Sequence, residues 1–258
     1  SDDPYDVLSG KEIIYFYDNL NLRNLTNAKE LKLPQYIKGD LDLKNLIDAQ
    51  GLILPKSIRG YLNLENLTSA EKLTFPETIN GYLNLKGLTS AKGLKLPQTV
   101  GGDLSLKKLT DAEDLIFPET VGGYLNLDSL PSTKGLKLPQ HVKYLSLENL
   151  TDATDLVLPQ NMSYLSLPSL TSAEGLILPK SIGKSLILSN LIDAKGLVLP
   201  KTIGGDLSLK NLTSAEGLIL PETIGYVLYL NNLESTEGLI VPQNFSCKYL
   251  ESNYITMD

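Results

Sequence analysis

A single phrase recurs along the chain. A Leu-x-Leu pair starts at Leu20, Leu41, Leu62, Leu83, Leu104, Leu125, Leu145, Leu165, Leu186, Leu207 and Leu228, eleven copies spaced 21 residues apart except for two 20-residue steps. A second pair follows eleven residues after the first and ends in proline, from Leu31-Lys32-Leu33-Pro34 to Leu239-Ile240-Val241-Pro242. Some copies are nearly identical, as in LTSAEGLILPKSIG from Leu170 to Gly183 and LTSAEGLILPETIG from Leu212 to Gly225. A period of this size calls for stacked coils, because one such unit cannot bury its apolar face alone.

Alternation of apolar and polar residues over three to five positions, bounded by Gly, Pro, Ser and Thr, marks strands and is too short for helices. The unit therefore predicts two short parallel strands, one at Leu-x-Leu and one at Leu-x-Leu-Pro. Coils stacked about 4.8 Å apart would join every leucine into one ladder. At the corner between the strands, Thr stands three residues before Glu in TSAEG (Thr171–Gly175), the spacing of a capping box. Gly follows it, so the corner predicts a single helical turn ended by a left-handed residue. Ala70, Ala91, Ala112 and Ala173 are expected inside that turn, where close stacking excludes larger side chains. Proline stops the second strand. In the next corner, as in ETVGG (Glu119–Gly123), Val points inward and Gly gives the backbone freedom to turn back. Residues 1–19 break the pattern and read as an N-terminal cap, 20–247 as the solenoid, and 248–258 as one further rung with a polar end, since open arrays need protected edges.

These elements, LxLPxxI followed by Leu, Leu, Ala and LxLP, resemble bacterial leucine-rich repeats of the BspA-like class over about residues 20–245. The unit carries GxLxLxxL where that class has an Ile-Gly and an Ala-Phe pair with Cys. Leucines such as Leu46, Leu67 and Leu88 stand where an Asn is usual. The fold class expected is thus mainly β, a leucine-rich-repeat solenoid of about eleven coils, either a right-handed horseshoe or a straighter β-solenoid. The resemblance implies binding modules of bacterial surface or secreted proteins, with no catalytic activity in the repeats.

Composition excludes several alternatives. With 42% apolar residues the 258-residue chain has ample material for a core. Its net charge of −7 is interspersed, so no basic footprint for nucleic acid is present. The longest apolar runs fall far short of the roughly 18–20 residues of a membrane-spanning helix. The chain opens SDDPYDVLSG, without Met or an apolar leader, as expected of a processed form or a piece of a longer protein. Cys247 is the sole cysteine and His141 the sole histidine. They are about a hundred residues apart, so they form neither a disulfide, a thiolate metal cluster nor a nucleophile–base pair. Asp40, Asp103 and Asp206 share one repeat position but lie on non-adjacent coils, unlike paired catalytic acids or calcium ligands. The Gly-Gly pairs at 101/102, 122/123 and 204/205 are turn glycines without the Lys-Ser/Thr of a phosphate loop. Asn24, Asn66, Asn149 and Asn211 fit a glycosylation sequon, which the repeat itself also explains.

The positions expected to face outward vary from coil to coil. Before the first leucine stand Tyr61, Tyr82, Tyr124, Tyr144 and Tyr164, and between the leucines stand Asn63, Asn84 and Asn126, a mixture favoured in protein-binding surfaces. Stacked tyrosines can equally serve only to join adjacent strands. In the second strand the outward position becomes continuously apolar at Val157, Ile177, Val198, Ile219 and Ile240, a candidate interface for a partner, a second copy or another domain. Strand propensity alone would also select such β-branched residues. The function expected is a non-enzymatic scaffold for protein–protein recognition. It needs no cofactor or metal, takes a protein partner, and is placed at the bacterial surface or in secretion by resemblance alone. The alternative is a structural spacer or self-assembly element.

Overall fold

The computed structural model describes residues 15–29, 31–112 and 115–253. Every regular element among them is a strand, and no helix occurs. All strand pairing is parallel and follows the sequence period, so that Leu41 pairs with Leu62, Leu62 with Leu83 and Leu83 with Leu104. About eleven coils follow one another along the chain as a parallel β-solenoid. The coils fall into two compact units, residues 1–127 with 139–142 and residues 128–138 with 143–258.

In the first unit one ladder runs through Leu20–Asn21, Leu41–Asp42, Leu62–Asn63, Leu83–Asn84 and Leu104–Ser105 to the end of the strand Thr120–Asn126. A second ladder runs through Tyr15–Phe16, Tyr36–Ile37, Ser57–Ile58, Thr78–Ile79 and Thr99–Val100 to the start of that same strand. The second unit repeats the arrangement, with Leu165, Leu186, Leu207 and Leu228 in one ladder. Ile182, Ile203 and Ile224 form its other ladder, and Ser246–Glu251 pairs with Thr223–Tyr229. Of the expected N-terminal cap, residues 1–14 lie outside the described residues, and so do residues 254–258 of the expected C-terminal rung.

Two ladders per coil match the expectation, but the second lies elsewhere. The Leu-x-Leu-Pro segment makes only isolated bridges, such as Thr74 with Lys95 and Ile219 with Ile240, and the regular pairing falls on the x-Ile step beyond the proline. Proline has no N–H to give a ladder, so continuous pairing resumes only after it, from the Lys56 N–H donating to Gln35 O at 2.7 Å onward.

The expected helical turn is absent as well. The Leu52 N–H donates to Ala49 O at 2.9 Å while Gly51 takes φ of 81°, the arrangement of a type II β-turn with glycine in third place. The residue before Ala closes a smaller turn with its side chain, as when the Gln50 N–H donates to Asp48 Oδ1. The corner threonine does not cap its own coil. Thr68, Thr110 and Thr213 instead donate their hydroxyls to Ile47, Thr89 and Ile192 carbonyls one coil back, at 3.0–3.1 Å. Each of these carbonyls also accepts the backbone N–H of the same threonine, so the hydroxyl adds a second coil-to-coil bond to one already made.

The core is a set of aliphatic columns. Leu62, Leu64, Leu67, Ile79, Leu83, Leu85 and Leu88 are fully buried, as are their counterparts in the second unit. Each such side chain contributes about 1.5–3 kcal/mol relative to exposure. Corner glycines outside the type II turn do not take a left-handed φ, and at Gly81 the need for glycine is spatial. A Cβ on Gly81 would lie 2.7 Å from Gly60 C and Tyr61 N in the preceding coil.

Candidate interaction surfaces

The first ladder's middle position does not face outward as expected. Asp42, Asn63, Ser166 and Ser208 are buried, and Asn84, Asn126, Ser146 and Ile187 half-buried. The Asp42, Asn63 and Asn84 side chains close the turn after the strand. The Lys44, Glu65 and Lys86 N–H groups donate to Asp42, Asn63 and Asn84 Oδ1 at 3.0, 3.2 and 3.1 Å. An Asx turn draws the amide back over its own backbone, and the next coil covers it. Asn63 therefore has little surface for a partner, whereas the exposed amide row lies at Asn45 and Asn66, joined at 3.2 Å.

Asp42 is the hub of the first unit's polar cluster. Arg23 donates to Asp42 Oδ2 from both Nε and Nη2 at 2.7 Å, the Tyr61 hydroxyl reaches the same oxygen at 3.3 Å, and Asn63 Nδ2 donates to Oδ1 at 3.3 Å. Hydrogen bonding and charge from Asp42 raise the Arg23 pKa further above its ordinary value. The Tyr61 and Tyr82 rings stack at 4.3 Å with an interplanar angle of 8°. Burial, followed by the charge of Asp42, raises the hydroxyl of Tyr61, and burial together with Tyr61 raises that of Tyr82. Arg23 was not singled out from sequence. It is one of two arginines and stands 19 residues before Asp42, a signal readable by searching for opposite charges one coil apart give or take two residues.

Tyr61 is half-buried, and Tyr82 and Tyr124 are exposed in part. In the second unit Tyr144 and Tyr164 occupy paired positions, with Lys184 Nζ 5.0 Å from the Tyr144 ring centre. The acids at this repeat position are structural, since Asp40 and Asp103 each accept the next coil's N–H, from Tyr61 at 2.9 Å and Tyr124 at 2.7 Å. Sequence reading also missed the aromatic group at the end of the second unit. There Lys248 Nζ lies 4.8 and 5.3 Å from the Tyr226 and Tyr249 rings, which meet edge to face at 5.6 Å.

The apolar row stands clear of the second unit. Val157, Ile177 and Val198 are 76%, 73% and 76% exposed, and Ile219 and Ile240 54% and 52%. In the first unit the same row is interrupted, because Thr74 and Lys95 separate Ile53 from Ile116. Beside Val198 and Ile219 lies a hollow of about 260 Å³ lined by Leu199, Pro200, Leu220 and Pro221. A larger open hollow of about 790 Å³ in the first unit is lined by Lys92, Lys95, Asp111, Ile116 and Phe117.

Among the described residues no group of three His, Cys, Asp or Glu side chains lies together as a metal site, and no helix is long and apolar enough to cross a membrane. His141 is exposed, and the Cys247 thiol lies 2.9 Å from Tyr249 O. Comparison with protein-family models, curated proteins and solved structures found no match.

Proposed function

We propose that the protein is a non-enzymatic repeat scaffold for protein–protein recognition, of the kind that the resemblance to BspA-like leucine-rich repeats implies for surface or secreted bacterial proteins. The observation that carries this reading is the Tyr61–Tyr82 pair, stacked at 4.3 Å over the Asp42–Arg23 ion pair with Tyr82 open to solvent. Rings held in place before contact lose little freedom on binding. Leucine, alanine and glycine carry stability on the inside, which leaves the outward positions to vary with the partner.

The test is affinity capture with the intact chain, compared between the parent and a Tyr82→Ala/Tyr124→Ala variant whose β spectrum is unchanged. A specific protein retained by the parent and lost by the variant supports the reading. Retention that is indifferent to both substitutions rejects the tyrosine face.

A further inference from the structure

We infer that the apolar row of the second unit is a dimer interface, and that its occupant is a second copy of this chain packed antiparallel across it. The inference goes beyond the tyrosine-face reading and does not depend on it. Together the five exposed side chains open roughly 550 Å² of apolar surface, at the upper end of the largest patches monomers leave uncovered, which run to about 600 Å². In the antiparallel register centred between Val198 and Ile219, Val157 lies beyond the end of the other row, so Ile177, Val198, Ile219 and Ile240 of both copies bury about 850 Å², and flanking residues supply the rest of the roughly 1,200 Å² of the smaller stable interfaces.

Shape favours a second copy over an unrelated surface. The row is a line of β-branched side chains repeating at the pitch of stacked strands, about 4.8 Å, and another copy offers the same pitch, so each side chain of one row meets one of the other. An interface on a two-fold axis must be its own complement. A row with one exposed apolar side chain per coil is, since Val198 of one copy finds Ile219 of the other opposite it.

Charge selects the orientation. Lys195 and Glu216 flank the row on one side at neighbouring coils, and Lys201 and Glu222 flank it on the other. Lys201 and Glu222 are also paired within one copy at 3.5 Å. A two-fold axis along the row would set Lys195 against Lys201 and Glu216 against Glu222, like against like. An axis across the row, midway between Val198 and Ile219, sets Lys195 against the second copy's Glu216 and Lys201 against its Glu222, each twice. Glu174 then faces Glu237 at the rim, where exposed charges contribute little. Opposite charges in four central places against one like pair, repeated at both ends, decide for the antiparallel arrangement.

Sedimentation of the intact chain from about 1 to 100 µM spans the affinity range of an interface this size. The expected result is a concentration-dependent dimer, weakened at least about 100-fold in Val198→Lys/Ile219→Lys, which buries charge in the seam. Lys195→Glu/Lys201→Glu should weaken it about tenfold, and adding Glu216→Lys/Glu222→Lys should restore it. Unchanged circular dichroism and urea midpoints keep these exposed substitutions interpretable. A chain that stays monomeric throughout, or a dimer untouched by Val198→Lys/Ile219→Lys, overturns the interface. A dimer that the charge exchange does not restore overturns the antiparallel orientation.

Discussion

Two glycines of the first unit separate two reasons for conserving space in a coil. Gly51 has φ of 81° and no atom within 4 Å of where a Cβ would stand, whereas a Cβ on Gly81 would meet the preceding coil's backbone at 2.7 Å. Replacing Gly51 by Ala introduces only the left-handed penalty, about 1–2 kcal/mol. Replacing Gly81 by Ala requires coils to part by about 0.7 Å to reach an ordinary contact near 3.4 Å. That step lengthens the two bonds crossing the same seam, the Gly81 N–H to Gly60 O at 3.0 Å and the Leu62 N–H to Tyr82 O at 2.9 Å, past the hydrogen-bonding limit. Two bonds at about 1 kcal/mol each, with the lost packing around them, put the cost at about 3 kcal/mol or more. Each substitution removes the same unfolded-chain freedom, so the difference isolates the native state. Equilibrium urea unfolding followed by circular dichroism measures it. Gly51→Asn should recover most of the Gly51→Ala loss, because Asn tolerates left-handed φ, and Gly81→Asn should recover none. If Gly81→Ala proves no costlier than Gly51→Ala, backbone contact between coils is not what glycine provides at that corner.

Asp42→Ala leaves the Lys44 N–H and the Asn63 amide without their acceptor and should cost about 2–3 kcal/mol in urea unfolding, with Asp42→Asn recovering part because one acceptor oxygen remains. The raised hydroxyls of Tyr61 and Tyr82 give an alkaline signature. Folding holds them protonated, so their contribution is complete below the ordinary tyrosine value near 10 and falls as pH rises through their folded values. Unfolding midpoints measured from pH 8 to 12 should drop above about pH 10, and the drop should shrink in Tyr82→Phe. An equal drop in that variant would assign the effect to other groups.

The leucine columns and parallel stacking were legible because burial enforces them at every coil. Leu62, Leu83 and Leu104 recur at 21 residues, and a slip of one residue would expose the column. The second ladder was misplaced because Leu-x-Leu alternation signals side-chain burial, while pairing depends on which backbone N–H groups exist, and Pro55, Pro76 and Pro97 remove one per coil. TSAEG suggested a helical turn through its Thr–Glu spacing. A capping box needs a helix of its own to cap, and here the threonine found a carbonyl in the adjacent coil. The same alternation predicts an outward Asn63, because it cannot see that an Asx turn folds the amide back. The tyrosine and Val/Ile rows were visible as variation at fixed positions. Which of them is free of neighbours needed the third dimension, since stacking brings together residues about 21 apart that no local window joins.

Asp40 and Asp103 each hold the backbone of the coil that comes after them. The link has a direction, forward along the chain, so the two faces of a coil are not interchangeable. A gene duplication of the period that carries Asp40 or Asp103 would splice in a new turn able to hold the one after it, whereas a period with tyrosine at that position, such as Tyr61, could only receive the link. A duplication out of phase would break it at both seams. Length in this protein is therefore a quantity that recombination can adjust in whole steps, while the order within each step stays fixed.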